Sequence, residues 1–351
     1  MRKKIVLVVV VWLLLLMAMG YWYWKTLTVY RDGSRSDDQT ITVTDQLGRQ
    51  VKVPRHIQRI STLNSHIGTY IAFALGQQDK LVGAVSLGGR LGKAMAMKNK
   101  KIISGNDAER DHTANLETLL ALKPQVIFCE VDLDGSALQQ IEDAGLTAVA
   151  IKGETIEQSF LAVRLMAKVL DCEDRGEEYV NAGEKLLRLV AERVSAVPAD
   201  KQPRVLFLRG GGNFSVASGD MLQTRMLKLA GARNVAVDLQ NRWPLVSPER
   251  IIQWNPEVIF LGPFTGTTGT GEILDNPIFS TLKAVERRQV YIFPSNIGWW
   301  DFPAPHCVLG VVWLAKTIYP DRFADIDMTD IADDFYKRFI GRSFTEMGGK
   351  L

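Results

Sequence analysis

Ala114-Asn-Leu-Glu-Thr-Leu-Leu-Ala-Leu-Lys-Pro-Gln-Val-Ile-Phe128 and Val246-Ser-Pro-Glu-Arg-Ile-Ile-Gln-Trp-Asn-Pro-Glu-Val-Ile-Phe260 lie over one another without a gap. Each starts with a helix-capping residue, Asn115 or Ser247, and places a glutamate two positions later. A short amphipathic helix follows, then a proline and a Val-Ile-Phe strand. Glu117 and Glu249 stand 132 positions apart, far beyond the roughly 20 to 50 residues of solenoid repeats, so the pair marks a duplicated lobe and not an array. Helix capping alone accounts for either glutamate; their matched placement adds a paired surface role.

Working outward, Ile41 to Pro54 alternates in polarity on both sides of Leu47-Gly48 and predicts a β-hairpin. Arg59 to Ser65 reads as a short strand, followed by an apolar-periodic helix ending at Gly76 and a strand at Leu81 to Val85. The same rhythm returns at Val126–Cys129, Ala148–Ile151, Val205–Leu208, Val258–Leu261 and Val290–Phe293. Short Val/Ile-rich strands separated by helical patterns mean α/β units with parallel sheets. Thr155 to Leu170 and Glu173 to Val194 break that rhythm with two helical patterns; Tyr179, Gly183, Leu186, Leu187, Val190 and Val194 form the apolar stripe of the second. The expected fold is therefore α/β: two α/β lobes with mainly parallel central sheets joined by a long connecting helix. The expected boundaries are 41–170 for the N-terminal lobe, 171–198 for the connecting helix, 199–340 for the C-terminal lobe and 341–351 for a tail.

Residues 1–24 supply an export or anchor helix. Arg2-Lys3-Lys4 precedes an unbroken apolar run from Ile5 to Gly20, then Tyr21-Trp-Tyr-Trp24. Ala18-Met-Gly20 suits cleavage of a signal peptide, whereas the run to Trp24 reaches about 20 residues, enough to span a bilayer as a membrane anchor. Both outcomes put the rest of the chain outside the cytoplasm under the positive-inside rule. Residues 25–40 are polar and charged and read as a tether.

The whole chain carries 42 Lys and Arg against 39 Asp and Glu. Arg2, Lys3 and Lys4 account for that excess, so the remainder is neutral and no nucleic-acid-binding surface is indicated. With 46% hydrophobic and 23% charged residues, neither wholesale disorder nor a polytopic membrane protein fits. Cys129, Cys172 and Cys307 form no C-x-x-C and read as small buried hydrophobes; His56, His66, His112 and His306 make no zinc-type spacing, and no resident metal or cofactor is expected.

Across about 300 residues the chain resembles the ABC-transporter substrate-binding proteins of the helical-backbone (class III) type, which carry ferric siderophores, haem, cobalamin or related metal chelates. The resemblance rests on Ile41-Thr-Val-Thr-Asp45 with Leu47-Gly-Arg49, Arg59-Ile-Ser61, Phe73-Ala-Leu-Gly76 with Leu81-Val-Gly83, Asn115-Leu-Glu117 through Ile127, Gly231-Ala-Arg-Asn-Val235, and Ser247-Pro-Glu249 through Ile259. Thr69-Tyr70 departs from the Thr-Glu usual in that family, and no lipidation cysteine follows the apolar run.

The resemblance implies two lobes that clasp ligand between loops at the carboxyl ends of their strands, where open α/β sheets bind ligands on physical grounds as well. On the first lobe the candidate lining is Ser61, Thr62, Asn64 and Ser65, then Ser86 with Arg90, then Glu130 with Asp132. On the second it is Arg209 to Asn213 with Gly211 at its centre, Trp243, Phe264 with Thr265, and Asn296 to Asp301, including Trp299 and Trp300. Arg90 and Arg209 suit an anionic ligand, and the aromatic side chains suit the faces of a siderophore, haem or corrinoid. Arg209-Gly-Gly-Gly-Asn213 is no nucleotide loop, since it lacks the Gly-Lys-Ser/Thr of a P-loop and the third glycine of a dinucleotide fingerprint.

The expected function is extracytoplasmic capture of a metal chelate and its delivery to an ABC permease dimer with its ATPase subunits. The resemblance further implies that Glu117 and Glu249 dock into arginine pockets on the two permease subunits. A molybdate or tungstate oxyanion is the alternative ligand. An exported enzyme acting on a metal complex is the alternative of another class; no catalytic triad, paired carboxylate or metal motif supports it.

Overall fold

The duplication is visible in the strand order of a computed structural model that describes residues 39–63, 66–85, 92, 101–104, 116–131, 136–262, 269–294 and 296–351. Residues 1–24, nearly all of 25–40, and the candidates Asn64, Ser65, Ser86, Arg90, Asp132, Phe264 and Thr265 lie outside the described residues.

An antiparallel hairpin, β1 (Thr40–Thr44) and β2 (Gln50–Pro54), opens the described chain, with Ile41 opposite Val53 and Val43 opposite Val51. Its turn is locked by Asp45, whose Oδ1 accepts from the amides of Leu47 and Arg49 at 3.0 Å each, while Arg49 Nε donates to Asp45 Oδ2 at 2.8 Å. The hairpin docks on the first lobe because Ala150 N donates to the same carboxylate at 3.2 Å. Burial pushes the Asp45 carboxyl up, but the Arg49 side chain and the three amides outweigh that and hold it below the usual carboxylate range.

In the first lobe β3 (Ile60–Leu63), β4 (Leu81–Val85), β5 (Lys101–Ser104), β6 (Val126–Glu130) and β7 (Ala148–Ile151) form one parallel sheet in the order β5-β4-β3-β6-β7. In the second, β8 (Arg204–Leu208), β9 (Arg233–Asn234), β10 (Val258–Leu261) and β11 (Val290–Ile292) are parallel in the order β11-β10-β8-β9. The second order is the first one, β4-β3-β6-β7, with the edge strand β5 left out. Strands β3, β6, β7 and β10 are buried along their full length, as strands of a parallel sheet covered on both faces are.

Helices α1 (His66–Ala74), α2 (Leu116–Leu122) and α3 (Ser136–Asp143) belong to the first lobe. α4 (Ile156–Val169) and α5 (Glu173–Val194) follow it. The second lobe carries α6 (Leu222–Leu229), α7 (Pro248–Trp254), α8 (Gly271–Leu274), α9 (Lys283–Glu286), α10 (Cys307–Ile318) and α11 (Met328–Ile340). Thr155 starts α4 with a capping box, its side chain accepting from Gln158 N while Gln158 reaches back to Thr155 N. α5 approaches α4 closely because Gly176 and Gly183 face it: a Cβ added there would stand 2.5 Å from Ala167 Cβ and 2.6 Å from Phe160 Cζ. Val180 and Val190 on α5 are buried, each contributing about 1.5 to 3 kcal/mol, and Tyr179 packs its ring on Phe335 and Phe339 of α11. One apolar cluster runs from β6 through α4, α5 and α10 into β8 and β10, so the lobes share a continuous core.

Candidate functional site

Strand ends and the loops that follow them enclose a cavity of about 640 Å³ between the lobes. The first lobe contributes Val131, Lys152, Glu154 and Gln158, from the ends of β6 and β7 and the start of α4. The second contributes Arg209 after β8, the Ser218 to Gln223 turn into α6, the 240–243 loop, and Asp301 to Pro303 after β11. Parallel strands that stop together leave a crevice at their carboxyl ends, and facing lobes turn two crevices into one cavity.

Trp243 is held there in an unusual backbone conformation. Its φ is +52° and that of Asn241 is +69°, the left-handed region that a bulky residue seldom occupies. The surroundings impose it. Trp243 N donates to Met221 Sδ at 3.4 Å, its ring lies 6.3 Å from that of Phe207, and the Arg209 guanidinium stands 5.9 Å from its centroid. Apolar face and cationic head therefore come to the same wall.

The loop after Arg209 turns away. Gly210, Gly211 and Gly212 have φ of +83°, +86° and +80°, and Gly212 N donates to Glu272 Oε1 at 2.8 Å, which ties the loop to α8. Gly211 and Asn213 are exposed and off the cavity wall.

Three candidates are corrected. Trp300 is fully buried and donates from Nε1 to Tyr336 Oη at 3.0 Å, with its ring 5.2 Å from Phe344, so it anchors the second lobe's core. Ser61 is buried and its hydroxyl donates to Gly83 O at 3.1 Å; Thr62 is buried and paired with Thr69 at 2.6 Å under α1. A strand covered on both faces sends its hydroxyls to its neighbours. Glu130 is buried at the end of β6, beside Val131 of the wall. Trp299 is half-buried, 5.6 Å edge-on from His66 and 5.3 Å from Phe302, which does line the cavity. Arg209, Trp243 and Asp301 are the proposed binding residues that lie on the wall, and Asp301 is 4% exposed.

Lys152, Gln158 and Gln223 carry no sequence motif and were not among the candidates, nor were the ion pairs between the lobes. Arg242 Nη2 meets Glu154 Oε1 at 2.9 Å, and Arg225 pairs with Glu157, each joining a second-lobe arginine to a glutamate at the start of α4. The seam between the lobes is aromatic. His66 lies 4.7 Å from Phe302, and His306 stacks 4.0 Å from Tyr70, the residue that replaces the family's glutamate. Burial lowers His66 to about 4 and His306 to about 3, the nearby His66 adding to the second shift. Both are neutral at physiological pH.

Among the described residues, no group of three or more His, Cys, Asp or Glu side chains is placed to hold a metal ion. Cys129 and Cys307 are buried thiols; Cys172 is only half-buried, which departs from the expectation for all three. Burial pushes the Cys307 thiol up to about 12.

Glu117 and Glu249 are exposed in the first turns of α2 and α7. The Ser247 hydroxyl and the helix start hold the Glu249 carboxyl below its usual range.

Residues 64–297 match the family described as periplasmic binding protein. The molybdate-binding protein MolA of Haemophilus influenzae is 31% identical over 327 residues, covering 86% of this chain and 91% of MolA. Its molybdate-bound crystal structure superposes with a TM-score of 0.75 at 28% identity, covering 86% of this chain and 98% of the other. The Fe(3+)-citrate-binding protein YfmC of Bacillus subtilis is 27% identical over 180 residues, 50% of this chain and 56% of YfmC.

Proposed function

The chain belongs to the periplasmic binding protein family, and from that premise we propose that its cleft captures a metal chelate outside the cytoplasm and hands it to an ABC permease. The protein is an extracytoplasmic solute-binding protein of class III type and not an enzyme. The observation that carries the ligand reading is the cavity itself. Its volume of about 640 Å³ falls within the roughly 300 to 1,000 Å³ that hold organic ligands of drug size, and Trp243 with Arg209 offers one apolar and one cationic contact. Ferric siderophore, haem and corrinoid remain the chemical classes of choice. Native mass spectrometry with metal analysis, on protein isolated from its own envelope, tests this: an organic metal complex bound at one per chain is expected, and a bare oxyanion overturns it.

Molybdate is the second reading, favoured by the 31% identity to MolA over 86% of the chain. A tetrahedral oxyanion needs several close donors, and Lys152 and Arg209 on the wall supply two cationic ones.

Delivery requires orientation on the permease. Glu117 and Glu249, one on each lobe, are proposed to meet arginines on the two permease subunits, with the N-terminal segment holding the protein at the membrane if it is retained.

A further inference from the structure

The repeat keeps more on its surface than a glutamate. α2 and α7 send Leu119 and Ile251 into the cores of their lobes, where both are fully buried. One residue later each helix leaves a large aliphatic side chain in water: Leu120 is 44% exposed and Ile252 36%. These stand three positions after Glu117 and Glu249, which are exposed too, and residues three apart share one face of a helix. Each lobe therefore presents an acid with an aliphatic group one turn further on, on the same open face.

The other positions of these helices that reach the surface do not agree. Thr118 corresponds to Arg250, Ala121 to Gln253 and Lys123 to Asn255. Folding accounts for the match at Leu119 and Ile251, since each lobe needs its core, but it gives no reason to keep an exposed aliphatic residue twice while its surface neighbours change. A single exposed leucine is commonplace. The same kind of residue beside the same acid on two lobes is one surface present in two copies, and the continuous core of the lobes presents both copies together.

The chemistry names the occupant. Two acids call for two cations, two aliphatic groups call for two apolar hollows, and equal patches call for equal sites. A partner built of two like subunits supplies them. A second copy of this chain fits poorly, because patch on patch would bring glutamate against glutamate.

We propose that Leu120 and Ile252 complete the docking surface of each lobe, each seating in an apolar hollow beside the cation on one of two like permease subunits. This rests on the reading of Glu117 and Glu249 as the permease-facing residues. The acids steer the encounter and the aliphatic contacts slow its reversal, since a rim charge acts mainly on association and desolvated contact mainly on dissociation.

Binding of the protein to its importer's permease–ATPase complex, held in lipid nanodiscs, separates the two contributions. Leu120→Ala with Ile252→Ala is expected to weaken binding about tenfold, nearly all of it in the dissociation rate and equally at low salt and at about 0.5 M salt. Glu117→Gln with Glu249→Gln is expected to slow association, by a factor that shrinks as salt is added. Leu120→Asp with Ile252→Asp adds charge of the attractive sign and is nonetheless expected to bind at least tenfold more weakly; tighter binding would make the surface electrostatic alone and overturn the proposal. Unchanged thermal unfolding of all three variants is expected, because the side chains are exposed. If the alanine variant binds like the parent while the glutamine variant does not, the proposal falls and the glutamate docking stands. If neither variant alters binding, the docking reading falls and takes the proposal with it. Sedimentation showing that the parent pairs with itself and the alanine variant does not would assign the patch to a second copy of the chain and likewise overturn it.

Discussion

The two lobes agree where their strands begin and part company where their strands end. In the first, Lys123 closes α2 with φ of +46° before Pro124; in the second, Asn255 closes α7 with φ of +43° before Pro256. Gln125 Oε1 accepts from Arg59 N at 3.1 Å, and Glu257 Oε2 accepts from Arg204 N at 3.0 Å. Arg59 reaches the carbonyl of Leu122 as Arg204 reaches that of Trp254. The repeat therefore extends to individual hydrogen bonds. At the cleft the match ends: the first lobe brings Lys152, Glu154 and Gln158, while the second brings a strained tryptophan, the start of α6 and a buried aspartate. Duplication keeps what holds a helix against its strand and leaves strand-end loops free to change, since these carry little of the core.

The largest effect that can test this comparison is in transport. If the matched glutamates do matched work, Glu117→Arg with Glu249→Arg abolishes uptake while leaving ligand affinity within twofold, and each single change gives a comparable partial loss. Exposed ion pairs are weak singly, about 0 to 1 kcal/mol, but two held in register set orientation and on-rate. Uptake by the double variant at normal expression returns both residues to plain first-turn acids.

Next in size is the second lobe's anchor. Trp300→Ala removes a fully buried indole and its bond to Tyr336, and destabilisation of about 3 to 5 kcal/mol is expected in urea unfolding. Arg209→Ala and Trp243→Ala, on the wall, are expected to leave stability nearly unchanged and to weaken ligand binding by about 1 to 3 kcal/mol. Stability of Trp300→Ala equal to that of the wall variants would return Trp300 to the cleft.

The seam itself is tested by acid. His66 and His306 titrate near 4 and 3 in the folded protein against 6.5 for a free imidazole. Above pH 6.5 both states are neutral and neither residue affects stability. Below it the unfolded chain takes up protons that the folded one refuses, so stability falls as pH falls, by roughly 1.4 kcal/mol per unit for each histidine. From His66 alone the loss reaches about 3 kcal/mol by pH 4, where its folded form begins to titrate. In His66→Phe the decline in unfolding free energy between pH 6.5 and 4 is expected to shrink by that amount; an identical decline places the seam histidine in water.

Most of the fold was legible because apolar runs of four or five residues, set between helical periods, specify buried parallel strands. β5, Lys101-Ile-Ile-Ser104, was missed because so short a run carries no period, and β9 because two residues carry none at all. The wall was less legible. Trp299 and Trp300 are neighbours in sequence, yet one side chain faces the seam and the other the core, and composition cannot assign which. Gln223 belongs to no motif and reaches the wall because α6 starts there.

The smallest effect sharpens the comparison most, since it asks whether equivalent positions are equivalent in energy. Lys123 and Asn255 occupy one backbone conformation at one place in the repeat, but only asparagine tolerates the left-handed region, through its short polar side chain. Lysine bears a Cβ clash there of roughly 1 to 2 kcal/mol, part of which a glycine gives back in unfolded-chain entropy. Lys123→Gly is therefore expected to stabilise by about 0.5 to 1 kcal/mol. Asn255→Gly is expected to be neutral or slightly destabilising, because Asn255 Oδ1 also accepts from Lys283 N at 3.0 Å and holds α9 in place. Chemical denaturation of the two variants resolves the difference. Equal shifts would mean that the lobes carry the turn in the same way, and the added bond to α9 would then contribute nothing to the second.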